Sequence, residues 1–112
     1  MALTISAPTI GGGQMELTGQ KRGPFLIHRQ VFGSGWAVTH IDTGMKFPWC
    51  FETGRKAEAF AKSARHILDW DSIKVNIVER EHRFRSKFIK GPTRAQKKAI
   101  YDLAKTHDGL RA

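Results

Sequence analysis

The clearest pattern of apolar and polar positions lies between Trp36 and Trp70. It reads as a strand (GWAVTHI), a turn (DTG), a second strand (MKFPWCF) and a segment with apolar residues every three or four positions. Alternation is typical of half-buried strands, and the longer period is typical of an amphipathic helix. We therefore predict a helix over Arg55–Leu68, N-capped by Thr53, with its alanine-rich stripe packed on the aromatic residues of the sheet.

A further strand precedes this unit. Phe25–Phe32 (FLIHRQVF) has apolar residues at both odd and even positions, which indicates a strand that is partly covered on both faces. Residues 1–23 are rich in Gly, Ser and Thr and show no sustained hydrophobic period, so we expect a flexible lead-in there. A short strand at Leu3–Ser6 is an alternative within this segment. The expected fold class is α+β: a three-stranded antiparallel sheet packed by one helix.

The register of the second hairpin is open between two loops. A three-residue loop, residues 42–44, places Gly44 in the left-handed position and pairs Ile41 with Met45. A two-residue loop at Thr43-Gly44 requires a positive φ at a β-branched residue but buries more apolar surface, including Trp36. We favour the three-residue loop. It predicts an outer sheet face bearing Trp36, Val38, His40 and Lys46.

The carboxy-terminal part is expected to be basic and helical. Residues 73–78 (IKVNIV) fit a short strand or a helix, and their β-branched residues favour a strand, with helix from about Glu79 onward. Gly91-Pro92 breaks the chain, and Thr93 to Gln96 has the form of a capping box that begins a last helix, Arg94–His107. We expect one domain over residues 24–112, with a sheet-and-helix part (24–70) and a basic part (71–112).

Positive charge is concentrated in this last part. The chain has 19 Lys and Arg against 10 Asp and Glu, a formal net charge of +9. An asymmetric basic surface attracts polyanions such as nucleic acid. Within residues 80–98 only Glu81 is acidic. The predicted phosphate-binding residues of this segment are Arg80, Arg83, Arg85, Lys87, Lys90, Arg94, Lys97 and Lys98.

The outer face of the sheet is a second candidate surface for nucleic acid. In the favoured register it presents Trp36, His40 and Lys46, and an exposed aromatic ring between basic groups can stack on a base. The alternative register would bury Trp36 and remove this candidate.

Other functional classes have little support in the sequence. The five histidines show no metal-ligand spacing and Cys50 is the only cysteine, so we expect no metal site, no cofactor and no enzyme. No apolar run approaches the ~18 residues of a membrane span, and we expect no membrane association and a cytoplasmic location, in the host cell if a phage encodes the protein.

The order of three strands and a helix over Phe25–Leu68 resembles DNA-binding domains of the AP2 type and of phage integrase amino-terminal arms. WAVTHIDTG, followed by an alanine-rich helix and an LDW ending, resembles small orphan proteins of prophages and plasmids. The resemblance implies a mobile-element accessory protein. We expect a nucleic-acid-binding protein, or alternatively an anti-CRISPR-like inhibitor that docks on an acidic or nucleic-acid-binding host protein; a homodimer is left open.

Overall fold

A computed structural model of the protein describes residues 2–8, 13–31, 33–81 and 83–111, with the main chain alone at residues 8, 77, 79, 80 and 83–86. Helices and strands are both present, so the α+β class is confirmed at that level. In chain order the elements are β1 (Ala2–Pro8), β2 (Gln14–Arg22), β3 (Phe25–Arg29), β4 (Trp36–His40), β5 (Trp49–Cys50), α1 (Gly54–Ala64), a 3-10 turn (Trp70–Ser72), β6 (Lys74–Arg80), β7 (Arg83–Lys90), α2 (Arg94–Thr106) and β8 (Leu110–Arg111).

The main sheet has four antiparallel strands in the order β1-β2-β3-β4, and only β3 and β4 were expected in it. The third expected strand, from Met45 to Phe51, is not one of the four, and its residues in β5 pair with β8 instead. β1 and β2 come from the segment predicted as a flexible lead-in, where β1 pairs with β2 from Ala2 opposite Gln20 to Pro8 opposite Gln14. Ala7 and Leu17 lie on one face of this hairpin and are buried against Leu26 of β3. Residues 9–12 and Phe32, the last residue of the strand predicted over Phe25–Phe32, lie outside the described residues.

The second hairpin follows neither loop considered from the sequence. The N–H of His40 donates to the Met45 carbonyl at 2.8 Å, and Thr39 lies opposite Lys46, so residues 41–44 form the loop. The Thr43 hydroxyl accepts from the Met45 N–H at 3.2 Å, which stabilises this longer turn. Gly44 has a φ of 70°, in the left-handed region that favours glycine. The prediction that Ile41 pairs with Met45 is therefore wrong.

The observed register places several residues on the opposite face of the sheet from the one predicted. Phe25 lies opposite His40 and Ile27 opposite Val38, so His40 and Val38 are on the side that packs against α1. Thr39 lies on the other face, where its hydroxyl is 2.8 Å from Nε2 of buried His28. The predicted outer face of Trp36, Val38 and His40 is therefore wrong.

The strand that contains Pro48 is short because its pairing with β4 is interrupted. Lys46 lies opposite Thr39, and Phe51 lies opposite Trp36. Four residues separate Lys46 from Phe51, whereas only two separate Trp36 from Thr39, so the strand that contains Pro48 has two extra residues. Proline lacks the N–H that a ladder needs. β5 is therefore reduced to two residues, which pair with β8.

The core lies between the sheet and α1, as the sequence predicts. Thr53 caps α1 by accepting from the Lys56 N–H, and the buried stripe of the helix is Ala57, Phe60, Ala61 and Ala64. The Phe60 ring lies 5.0 Å from the Phe51 ring and 5.2 Å from the Phe47 ring, between centroids. The small alanines allow this close approach. α1 ends at Ala64 rather than Leu68, and the Ala64 carbonyl accepts from the Trp70 indole N–H at 2.9 Å.

The basic segment is not the helix expected from Glu79 onward. It is an antiparallel hairpin of β6 and β7, and neither strand joins the main sheet. Phe84 and Phe88 are four positions apart, a spacing that would place them on one face of a helix, but an even spacing also places two residues on one face of a strand. The β-branched residues of IKVNIV extend the strand to Arg80 instead.

α2 confirms the predicted last helix and its capping box. The Thr93 hydroxyl accepts from the Gln96 N–H, and the Gln96 side chain accepts from the Thr93 N–H. Ile100 and Ala104 are its buried residues. At the other end Asp108 has the left-handed conformation, with a φ of 60°.

Candidate nucleic-acid interface

The β6–β7 hairpin, which we call the basic ribbon, separates charge from apolar residues by its register. On one face the register places Lys74 opposite Lys90, Asn76 opposite Lys87, Val78 opposite Arg85 and Arg80 opposite Arg83. The positions of the other face are Val75, Ile77, Glu79, Phe84, Ser86 and Phe88. All six lysine and arginine positions of the two strands therefore share a face, and the single acidic position, Glu79, is on the other.

A bulge makes this separation complete. The register shifts between Lys74 and Val75, so that Ile89 is an extra residue on β7. Without the shift Lys90 would have the parity of Phe88. The bulge therefore brings Lys90 to the basic face, opposite Lys74, and leaves the Ile89 side chain 69% exposed. Lys74 was not among the phosphate-binding residues predicted from the sequence, because those lie within residues 80–98.

The described side chains of the predicted phosphate-binding residues are exposed. Lys87, Lys90, Arg94 and Lys97 form no ion pair with any residue in the described part of the chain. Lys98 differs, because its ammonium group is 2.8 Å from the Asp102 carboxylate, one turn further along α2, and this partner raises the pKa of Lys98. Lys98 is thus the least available of these cations.

The start of α2 offers fewer free main-chain donors than an uncapped helix would. The Gln96 N–H is already bonded to the Thr93 hydroxyl within the capping box. Arg94 and Lys97 lie on this first turn and are exposed. Their contribution to a polyanion site therefore comes mainly from charge.

The second predicted surface, on the outer face of the sheet, is not formed. Trp36 is half-buried against the core and the Arg29 guanidinium lies 4.9 Å from its ring centroid. His40 is only 3% exposed. Lys46 is exposed, with its ammonium group 2.8 Å from the Gln30 side-chain oxygen. These three residues do not make a stacking platform between basic groups.

His40 and Lys46 instead line a cavity at the base of the basic ribbon. Its volume is about 350 Å³, and its walls come from the second hairpin, α2 and the root of β7. Aromatic rings predominate among the lining side chains, which include Phe47, Trp49, Trp70, Phe88 and Tyr101. Three cations, Lys46, Lys97 and Arg111, also line it and are exposed to solvent.

Two buried histidines differ in how well they are bonded. For His28, Nδ1 is 2.8 Å from the Arg29 carbonyl and Nε2 is 2.8 Å from the Thr39 hydroxyl. For His40, Nδ1 is 2.8 Å from the Thr43 hydroxyl, but Nε2 is buried without a hydrogen-bond partner among the described residues. Burial lowers the pKa of both rings; for His40 the charge of Asp42 and an interaction with the Trp70 main chain oppose this effect in part.

The sequence interpretation missed the residues that complete the cavity. Tyr101 and Arg111 line it, although neither was singled out. Lys97 and Tyr101 are four apart on α2 and so share a helix face, which was the available signal. Nothing in the sequence shows that this face meets the second hairpin.

Comparison with known protein families, with curated proteins and with solved structures gives no match. None of the described helices is long and apolar enough to cross a membrane. In the described part of the chain no three His, Cys, Asp or Glu side chains are grouped as a metal ion would require.

Proposed function

We propose that the protein is a non-enzymatic nucleic-acid-binding protein whose basic ribbon contacts phosphates, and that it serves a phage or mobile element as an accessory protein. The proposal is supported chiefly by the register that gathers Lys74, Arg80, Arg83, Arg85, Lys87 and Lys90 on one face. A face with six cationic positions and no acidic one strongly favours a polyanion.

The geometry of a two-stranded ribbon suits duplex DNA. The major groove is about 12 Å wide and admits a two-stranded β-ribbon. Successive side chains on one face of a strand are about 6.8 Å apart, so each strand of the ribbon extends its cations along the groove. Contacts of this kind orient a protein on nucleic acid without specifying a sequence, and we propose no base specificity for the ribbon.

Fluorescence anisotropy across a salt series tests the proposal. Each phosphate contact contributes about −0.9 to the slope of log affinity against log salt on duplex DNA, so six contacts give a slope of about −5. Affinity should therefore fall about 10³-fold between about 50 mM and about 200 mM salt. Absence of binding to duplex DNA, single-stranded DNA and RNA at the lower salt concentration would overturn the proposal.

A second candidate is an inhibitor of a host nucleic-acid-binding machine, similar in role to anti-CRISPR proteins. It is favoured by the exposed apolar residues near the end of β7, since Ile89 is 69% and Phe88 40% exposed. Exposed apolar side chains of this kind are typical anchors of protein interfaces. This candidate predicts no binding to nucleic acid alone and inhibition of a host RNA-guided nuclease in a cleavage assay.

A further inference from the structure

We infer that the cavity at the base of the basic ribbon receives one unstacked base of a single-stranded nucleic acid. This inference rests on the proposed function and deepens it by naming the form of nucleic acid and the site that recognises it. The cavity volume of about 350 Å³ falls within the range of small-ligand pockets, about 300–1,000 Å³. Its position next to Phe88 and Lys97 makes it continuous with the ribbon.

The walls suit a flat aromatic ligand. The Trp49 and Tyr101 rings are 6.0 Å apart between centroids and meet edge to face, and Trp49 itself is buried. Tyr101 is 43% and Phe88 40% exposed, with the Lys105 ammonium group 4.8 Å from the Tyr101 ring centroid and that of Lys97 6.0 Å from the Phe88 ring centroid. Exposed aromatic rings of this kind stack on bases regardless of sequence.

The cations around the cavity indicate that its ligand is anionic. Lys97 of α2 and Arg111 of β8 line the cavity and are exposed, whereas Lys46, which also lines it, has its ammonium group bonded to the Gln30 side chain. Asp and Glu are absent from the lining residues. A neutral apolar molecule would make no use of these charges, whereas a nucleotide has a base for the apolar interior and a phosphate for the cations.

The side chains of the wall distinguish a base from an aliphatic anion such as a fatty acid. Aromatic rings predominate among them, and a flat base can stack on such rings, whereas an alkyl chain cannot.

The test compares one single-stranded oligonucleotide with its duplex and measures both affinities by anisotropy. Tyr101→Ala should weaken binding of the single strand about tenfold, since base stacking contributes on the order of 1–3 kcal/mol by alanine substitution. It should leave the duplex affinity and its salt slope unchanged, because Tyr101 is not on the ribbon. Tyr101→Phe keeps the ring and should bind the single strand like the wild type.

Two further measurements keep this inference separate from the proposed function. Titration of the wild type with a nucleoside monophosphate should quench the fluorescence of Trp49 and Trp70, the cavity tryptophans, and Tyr101→Ala should weaken the quenching about tenfold. If Tyr101→Ala binds single strand and duplex as tightly as the wild type, the cavity is not a base site, although the ribbon still binds phosphates. If the wild type binds neither form, the proposed function fails as well.

Discussion

Neutralising Arg85 and Lys87 is the sharpest single perturbation of the basic ribbon. Both positions lie on its basic face, and the double variant R85Q/K87Q removes two of the six cationic positions there. The matched control is R55Q/K62Q on α1, which replaces the same two residue types at exposed positions away from the ribbon. Each double variant takes two positive charges from a net charge of +9.

The expected loss follows from the release of counterions. The slope of log affinity against log salt is about −0.9 per phosphate contact, so each contact raises affinity by about 0.9 log units when salt falls from about 1 M to about 0.1 M. Loss of two contacts should therefore lower affinity at about 0.1 M salt about 60-fold. R85Q/K87Q should also reduce the salt slope by about 1.8, which anisotropy titrations with a duplex at several salt concentrations will measure. R55Q/K62Q should change affinity much less, through long-range charge alone. Equal losses in both variants would show that net charge, and not the ribbon, determines binding.

Three further predictions concern the stability of the fold, measured by urea denaturation. A Cβ at Gly19 would lie 2.1 Å from the Ile27 carbonyl oxygen, so Gly19→Ala must push β2 away from β3 and should cost about 1–3 kcal/mol; an unchanged midpoint would contradict the close approach. Thr93→Ala removes the capping hydroxyl of α2 and should cost about 1 kcal/mol, whereas Thr93→Ser should restore most of it. Burial lowers the pKa of His28 and His40 below the ordinary value of 6.5, so the unfolded chain takes up protons first as the pH falls. Stability should be complete above about pH 6.5 and decline below it, and a midpoint that stays constant from about pH 8 to about pH 5 would contradict this.

Local chemistry predicted where α1 and α2 begin, although not where α1 ends. A Thr hydroxyl followed by Gln three residues later determines the start of α2 by bonds within four residues, and Thr53 acts similarly at α1. The apolar stripe of α1 also needs no knowledge of distant residues. These features are therefore readable from the sequence alone.

The sheet and the ribbon depended on pairing that the sequence does not show. The turn after His40 is longer than either predicted loop because the Thr43 hydroxyl bonds both the His40 ring and the Met45 N–H. β2 was missed, and β1 was considered only as a possible short strand at Leu3–Ser6, because their apolar faces are short and become buried only when Leu17 meets Leu26. In the ribbon, spacings of four residues fit a helix and a strand equally, and only the β6–β7 register reveals that its cations share a face.

The most direct test of the central claim maps main-chain amide shifts by NMR during titration with a short duplex at low salt. The account predicts that the largest shifts fall on Lys74–Arg80 and Arg83–Lys90, with smaller ones on the first turn of α2, and that added salt reverses them. Shifts concentrated on β1 to β4, with the ribbon unchanged, would contradict the claim that the basic face of the ribbon is the phosphate-binding surface.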